Sequence, residues 1–255
     1  MAGTRRVFIG LPAYNEEIAL PRLLARIERL IQSSAQAITV VLYSDGSTDG
    51  TVPIAREWHQ RLPLVIVDGV VNKGLGAGLR ALVDYAVANA DDDDVLLIMD
   101  CDDTHDPAQI GDMLARIDEG ADVVVGSRYV HGALVQGVPP LRRVTALGAT
   151  ALFKLIHPVR GVWDYTCGYR AYRVGVLKYA ASRYGSGLTA ESGFAGMVEL
   201  LLKLNALGAR FAEIPLQLRY DQKPTATKMR VGNNMRRLLV LLVRWRLRGF
   251  DEVLL

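Results

Sequence analysis

The sequence predicts an α/β fold: a mostly parallel sheet with helices on both faces, followed by a C-terminal amphipathic helix. Three observations carry this expectation. Short apolar runs of strand length alternate with longer segments of helical periodicity through the first half of the chain, as a parallel sheet with crossover helices requires. The runs stop at Pro, Gly, Asn or Asp, the residues that punctuate strands. Polar clusters fall at the strand exits, where open α/β sheets bind their ligands. The length of 255 residues suits one large domain with a sizeable core, and 50% hydrophobic with 22% charged residues marks a globular chain.

Each element follows from its residues. Val7 to Leu11 reads as the first strand, stopped by Pro12. From Glu16 to Ile31, the residues Leu20, Leu23, Leu24, Ile27, Leu30 and Ile31 fall on one helical side. Ile38 to Tyr43 is the second strand, ending in the turn and helix-start signal Ser44-Asp45-Gly46-Ser47-Thr48-Asp49-Gly50. A helix to about Gln60 and a strand from Leu64 to Val67 come next, and Asn72-Lys73-Gly74-Leu75-Gly76 opens a helix to about Asn89. The run Asp91 to Asp94 reads as a solvated loop. Val95 to Met99 is a buried strand, and Pro107 suits the first turn of the next helix. Asp122 to Val125 is a further strand, closed by Gly126-Ser127-Arg128-Tyr129. The second half holds a helix from about Leu141 to Ile156, a short segment from Asp164 to Tyr172 and a helix from about Glu191 to Ala206. Strands near Phe211 to Ile214 and Leu216 to Tyr220 then lead to a basic loop and a final helix.

The formal net charge of +3 is too small to imply a nucleic-acid partner, but its distribution is uneven. Arg219, Lys223, Lys228, Arg230, Arg236, Arg237, Arg244, Arg246 and Arg248 face only Asp221, Asp251 and Glu252 in the last stretch. Cys101 and Cys167 have no metal-type spacing and form no disulfide framework, which points to a reducing, cytoplasmic setting. The first residues lack the apolar stretch of a signal peptide, and the run Leu238 to Val243 is too short to span a bilayer. The chain is expected to be soluble or peripheral on the cytoplasmic face of a membrane. In the last helix Met235, Leu238, Leu239, Leu241, Leu242 and Trp245 form an apolar face flanked by arginines. Such a face suits either a membrane interface, with Trp245 as anchor, or packing on the domain.

The chemistry centres on Asp100-Cys101-Asp102, directly after the apolar run Val95 to Met99. Side chains alternate along a strand, so Asp100 and Asp102 are expected to point the same way and Cys101 the other. Two aligned carboxylates suit Mg2+ or Mn2+, which take oxygen ligands; an isolated Asp-x-Asp is otherwise an acidic turn. Asn15-Glu16, Asp45, Asn72-Lys73-Gly74 and the aspartate pair lie at four successive strand exits that face one crevice.

Together these residues resemble the inverting GT-A nucleotide-sugar transferases, with their Rossmann-like sheet, and among them the dolichyl- and polyprenyl-phosphate mannose synthases. The matching segments are Pro12-Ala13-Tyr14-Asn15-Glu16-Glu17, Ser44 to Thr51, Asn72 to Gly76 and Asp100 to Pro107, a DxD motif with its flank. Gly126 to Tyr129, Asp164 to Arg170 and Thr227-Lys228-Met229 complete the set. The resemblance implies a catalytic domain over residues 1–229 and a basic amphipathic helix over 230–255. It further implies transfer of a hexose, with mannose from GDP-mannose as the leading donor, from a nucleotide sugar to polyprenyl phosphate.

The roles that the resemblance assigns are these. Pro12, Tyr14, Asn15, Glu16, Asp45, Lys73 and Cys101 are nucleotide-binding, Asp45 otherwise being a turn cap and Glu16 and Glu17 a charged first helical turn. Asp100 and Asp102 hold the metal, and Arg128, Arg142 and Lys228 handle phosphates, with Arg143 competing for the place of Arg142. Asp103 departs from the family, which usually has an apolar residue there, and His105 is read as structural. No general base is obvious. A phosphate acceptor needs none, whereas a hydroxyl acceptor would need a carboxylate, for which Asp164 and Glu191 are the acceptor-side candidates. The competing readings are transfer from a UDP- or dTDP-sugar to a hydroxyl of a soluble acceptor, and a nucleotide-binding scaffold without turnover.

Overall fold

The computed structural model of the chain describes residues 5–224 and 231–248. In chain order these contain β1 (Arg6–Ala13), α1 (Leu20–Ser33), β2 (Ala37–Asp45), α2 (Thr51–Trp58), β3 (Leu64–Gly69), α3 (Leu75–Asn89), β4 (Val95–Ile98), α4 (Ile110–Asp118) and β5 (Val123–Ser127). There follow β6 (Leu134–Gln136), α5 (Pro140–Ile156), β7 (Arg170–Arg173), α6 (Val174–Tyr184), α7 (Phe194–Ala206), β8 (Phe211–Pro215), β9 (Gln217–Arg219) and α8 (Val231–Arg248). The main sheet runs β3-β2-β1-β4-β7-β5-β8, and β6 pairs with β9 in a small second sheet. All pairings in the main sheet are parallel except those of β7, which runs antiparallel to both β4 and β5. The mostly parallel α/β architecture expected from the alternating pattern is therefore what the chain adopts.

The strands that position the site have apolar, buried centres, as expected where both faces of the sheet are covered. Val95 to Ile98 are all buried, and their register against Val7 to Gly10 aligns the exits of β1 and β4. At Gly10 an added Cβ would stand 3.1 Å from Leu82 of α3, so helix and sheet approach closely there. α1 covers one face through Leu20, Leu23, Leu24 and Ile27. α8 packs on α5 and α7, and Leu238, Leu241, Leu242 and Trp245 join Phe153, Tyr165 and Leu201 in a second core. Of the two readings of the last helix, its main apolar face thus follows the packing one. Trp245 is buried, so it is no lipid anchor.

Several boundaries differ from the sequence expectation for identifiable reasons. α1 begins at Leu20 rather than Glu16, because the Glu16 carbonyl accepts from the amides of Ala19 and Leu20 in a preceding turn. α7 begins at Phe194 rather than Glu191, since Gly193 has φ +66° and breaks the helix. α6 and β6 were not anticipated. β7 enters the middle of the sheet despite its sequence Arg-Ala-Tyr-Arg because the buried Arg170 guanidinium donates to the carbonyls of Tyr165, Cys167 and Met197. Asp94 leaves the expected solvated loop, being buried and accepting from the backbone and side chain of Arg6 at 2.7 and 2.9 Å.

Candidate active site

The strand order places β2 and β4 on opposite sides of β1, and such a reversal opens a crevice at the strand exits. A cavity of about 710 Å³ lies there, lined from the ends of β1, β2, β4 and β5, the start of α3, α5 and α8. Pro12, Tyr14, Glu16, Asp45, Lys73, Cys101, Asp100, Asp102, Arg128 and Arg142 all line it. Asn15, Asp164 and Glu191 are not among the lining residues, and Lys228, with Thr227 and Met229, lies outside the described residues.

One end is built from the first two loops. Asn15 takes φ +54°, its amide donates to Ser47 Oγ at 3.1 Å, and its Oδ1 accepts from the Thr48 amide at 2.8 Å. Asn15 therefore stitches the loop after β1 to the loop after β2 and does not face the cavity. Glu17 does the same, accepting from the Gly50 amide at 2.8 Å, so it is not a charged first helical turn. Asp45 is buried and its two carboxylate oxygens accept from the amides of Lys73 and Gly74 at 2.9 and 2.7 Å. It both lines the cavity and caps the loop that carries Lys73, whose own side chain is exposed at the rim. The two loops can meet only because Gly46 has no side chain: a Cβ there would stand 2.7 Å from the Asn72 nitrogen.

At the centre, β4 ends at Ile98, and Asp100 to Asp103 form a turn with Asp103 at φ +61°. Strand alternation therefore stops short of the acidic pair, and Cys101 lines the same cavity as Asp100 and Asp102 instead of pointing away. Burial pushes the Asp100 carboxyl up, with His105 opposing. Burial also works against the Asp102 charge, but Lys223 and the Thr104 hydroxyl together hold its carboxyl below the usual range. Asp102 Oδ1 accepts from Thr104 Oγ1 at 2.6 Å, and Oδ2 pairs with Lys223 Nζ at 2.5 Å. His105 stacks on Tyr169 with ring centres 4.9 Å apart, and its Nδ1 accepts from the Asp100 amide at 3.2 Å. That contact shapes the turn. Asp103 has its own partner, Arg26 of α1 at 2.8 Å, which explains how a charge is accommodated at a position usually apolar.

Two carboxylates, Asp102 buried and Asp100 half-buried, with a neighbouring hydroxyl form a hard-oxygen donor set that suits Mg2+ or Mn2+. Burial raises the Asp100 carboxyl, so its charged form would gain from a cation placed beside it. Among the described residues no group of three or more His, Cys, Asp or Glu side chains forms a closed metal site, so positions would be left for substrate oxygens.

The far side is cationic. Arg128 donates from Nε and Nη2 to Asp164 at 2.7 and 2.6 Å, and from Nη2 to Thr166 Oγ1 at 2.6 Å. Burial opposes both charges, yet each partner stabilises the other, raising the Arg128 pKa and holding the Asp164 carboxyl below its usual range. Asp164 is wholly buried, and it also accepts from the amides of Thr166 and Cys167. As a candidate base it is corrected: it lies behind Arg128 and positions it. Glu191 is outside the lining, and its Oε1 is paired with Arg244 of α8 at 2.8 Å. Arg142 Nη1 donates to the Tyr220 hydroxyl at 2.8 Å and its guanidinium stands over that ring. Arg143 is exposed and donates to the Val135 carbonyl, away from the cavity. The sequence reading passed over Lys223 and Arg237, both of which line the cavity. Their only signal was membership in the C-terminal basic stretch.

A mostly parallel α/β sheet with an acidic pair just beyond its central strand and a cluster of cations opposite is the arrangement of a glycosyltransferase of GT-A type. The chain belongs to glycosyl transferase family 2, whose sequence profile matches residues 8–179, and it is a glycosyltransferase. It is similar to the polyprenol monophosphomannose synthase of Mycolicibacterium smegmatis, 28% identical over 248 residues, which cover 96% of this chain and 89% of that protein. It is also 34% identical to the dolichyl-phosphate hexose transferase of Haloferax volcanii over 223 residues, covering 87% and 85% of the two chains. The fold matches glucosyl-3-phosphoglycerate synthase from Mycobacterium tuberculosis, whose crystal holds Mn2+, UDP and phosphoglyceric acid. The TM-score is 0.66 at 20% identity, with 94% of this chain and 78% of that one covered.

Proposed function

We propose that this protein transfers a hexosyl group, with mannose from GDP-mannose as the leading donor, from a nucleotide sugar to polyprenyl phosphate. The observation that carries the proposal is the division of charge around the cavity. Both acceptor-side carboxylates are taken up by arginines, while Arg128, Arg142, Lys223 and Arg237 line the cavity as cations. That arrangement suits an acceptor that arrives already ionised. A phosphate oxygen can attack the anomeric carbon without giving up a proton, so the reaction does not call on Asp164 or Glu191, neither of which lines the cavity. The names of the relatives, a polyprenol monophosphomannose synthase and a dolichyl-phosphate hexose transferase, support the same acceptor class.

In this reading Tyr14, Glu16, Asp45 and Lys73 bind the nucleoside end of the donor. Asp100 and Asp102 would hold a divalent cation, which when bound supplies charge neutralisation for the departing nucleoside diphosphate. Arg128, held by Asp164 with its guanidinium fork in one orientation, and Arg142, held by Tyr220, fix the acceptor phosphate. Attack from the face opposite the leaving group inverts an α-linked donor to a β-linked product.

The lipid part of the acceptor needs an apolar approach. Leu141, Val144 and Leu147 on α5 are 73%, 67% and 56% exposed, and Leu239, Val240 and Val243 on neighbouring α8 are exposed too. Arg142 and Arg237 stand on these same two helices and line the cavity. An exposed apolar face with basic flanks beside the phosphate-binding end suits a peripheral position at the membrane interface. Among the described residues no helix is long and apolar enough to cross a membrane. The test is transfer of labelled sugar from GDP-mannose and from UDP- and dTDP-hexoses to a polyprenyl phosphate, with chelator and Asp102→Ala as controls. A labelled lipid product that both controls abolish supports the proposal; no lipid product from any donor refutes it.

A further inference from the structure

We infer that Lys223 and a divalent cation compete for Asp102, so that loading the metal releases the Lys223 ammonium to the donor diphosphate. The inference rests on the metal reading of Asp100 and Asp102 and adds to it a residue and a linkage. Asp102 has two oxygens, and both are engaged: Oδ1 accepts from the Thr104 amide and hydroxyl at 3.2 and 2.6 Å, and Oδ2 is paired with Lys223 at 2.5 Å. The pair is shielded, with the side chains of Lys223 and Asp102 only 14% and 9% exposed. An ammonium in this position compensates the buried carboxylate when no metal does. A dication at the same carboxylate would stand against that ammonium, and in a shielded site two like charges repel strongly. One of them must leave.

Lys223 is built to be the one that moves without being lost. The backbone beside it is anchored: Arg22 of α1 donates to the Gln222 carbonyl at 3.0 Å, and the Lys223 amide donates to the Tyr220 carbonyl at 3.3 Å. Its side chain is a flexible four-carbon stem ending in a compact charge, the form suited to a phosphate rather than a fixed fork. Tyr220, 5.6 Å from the ammonium, also carries Arg142, so the displaced charge stays on the cationic side of the same cavity. Lys223 would thus serve two negative groups in turn, the Asp102 carboxylate before a cation binds and the diphosphate after it.

Two titrations by calorimetry on the full chain test this, with wild type, Lys223→Gln, Lys223→Arg and Asp102→Ala. In Mn2+ alone, Lys223→Gln is expected to bind the ion at least tenfold more tightly than wild type, and Lys223→Arg within threefold of it. In saturating Mn2+, Lys223→Gln is expected to bind GDP at least tenfold more weakly. The opposite signs distinguish exchange from simple damage to the site. Equal Mn2+ affinity in wild type and Lys223→Gln overturns the exchange and leaves the metal reading intact. Absence of Mn2+ binding in both, or undiminished binding in Asp102→Ala, overturns the two together. On wild type alone, NMR of the lysine ammonium groups gives an independent check that does not depend on any variant folding. The shielded Lys223 signal should be present in the free protein and vanish on saturation with Mg2+, and its persistence overturns the inference.

Discussion

Replacing Asp164 by Asn tests whether this carboxylate is a base or the support of Arg128. Asp164 is wholly buried, and it receives two side-chain hydrogen bonds from Arg128 at 2.7 and 2.6 Å besides the backbone amide of Arg128 at 3.1 Å. Removing one partner of a buried pair strands the other charge and costs on the order of 3–5 kcal/mol. Asn keeps an acceptor oxygen for one of these bonds, so the lower end, about 3 kcal/mol, is expected. For a domain of this size each kcal/mol moves Tm by roughly 2–4 °C, giving a fall of about 6–12 °C at neutral pH. The pH dependence follows from the sign of the shift. The Asp164 carboxyl is held below its ordinary value in the folded state, chiefly against burial and by Arg128. Its contribution is therefore complete above the unfolded value near pH ~4 and is lost as pH falls through the lower folded value. The gap between wild type and Asp164→Asn should be full at pH 7 and narrow below about pH 4. Calorimetric melts of the ligand-free protein from neutral to acid pH measure it. A Tm within about 2 °C of wild type at pH 7, or a gap that persists unchanged into acid, would refute the assigned role.

The neighbouring arginines give a sharper contrast. Arg142→Ala removes a cation that lines the cavity and should lower transfer by about 10- to 100-fold, the worth of one charge-assisted contact, whereas Arg143→Ala should change it less than about twofold. Steady-state kinetics with a polyprenyl phosphate acceptor read both. The two faces of the C-terminal region should also separate. Trp245→Ala, in the second core, is expected to cost about 3–5 kcal/mol in stability. A Val144→Asp and Leu147→Asp double variant on the exposed face should leave Tm unchanged and abolish sedimentation with anionic vesicles. Equal vesicle binding by that double variant and wild type would remove the interfacial reading. Gly76→Ala should destabilise by about 1–3 kcal/mol, because the new Cβ would meet backbone, the Glu191 carbonyl oxygen at 2.4 Å and Ser192 Cα at 2.7 Å. A melt indistinguishable from wild type would show that this loop yields freely.

The first half of the fold was legible because its strands are short, mostly apolar runs, fully buried in β4, whose exits carry the polar clusters. β7 was not, because Arg170 reads as a surface residue until three backbone carbonyls are brought to it by tertiary contacts. The acidic pair and Arg142 were identifiable from pattern and resemblance, and both line the cavity. The geometry at the pair was not legible, since the strand ends two residues before Asp100 and a turn with Asp103 in a left-handed conformation replaces alternation. Asp164 and Glu191 stood as candidates for a base only if the acceptor were a hydroxyl, and a carboxylate in sequence carries no mark of the arginine that will meet it. Lys223 was hidden for the opposite reason. It is one of several cations in a basic stretch, and only its pairing with Asp102 across the cavity singles it out.

The central claim is that the acceptor is a phosphate and not a hydroxyl. Offering the enzyme a polyprenyl phosphate and the corresponding free polyprenol side by side, with the same labelled nucleotide sugar and Mg2+ or Mn2+, tests it most directly. The account predicts labelled product from the phosphate and none above background from the alcohol. Transfer to the alcohol at a comparable rate would contradict it, because a hydroxyl acceptor needs a base to take its proton.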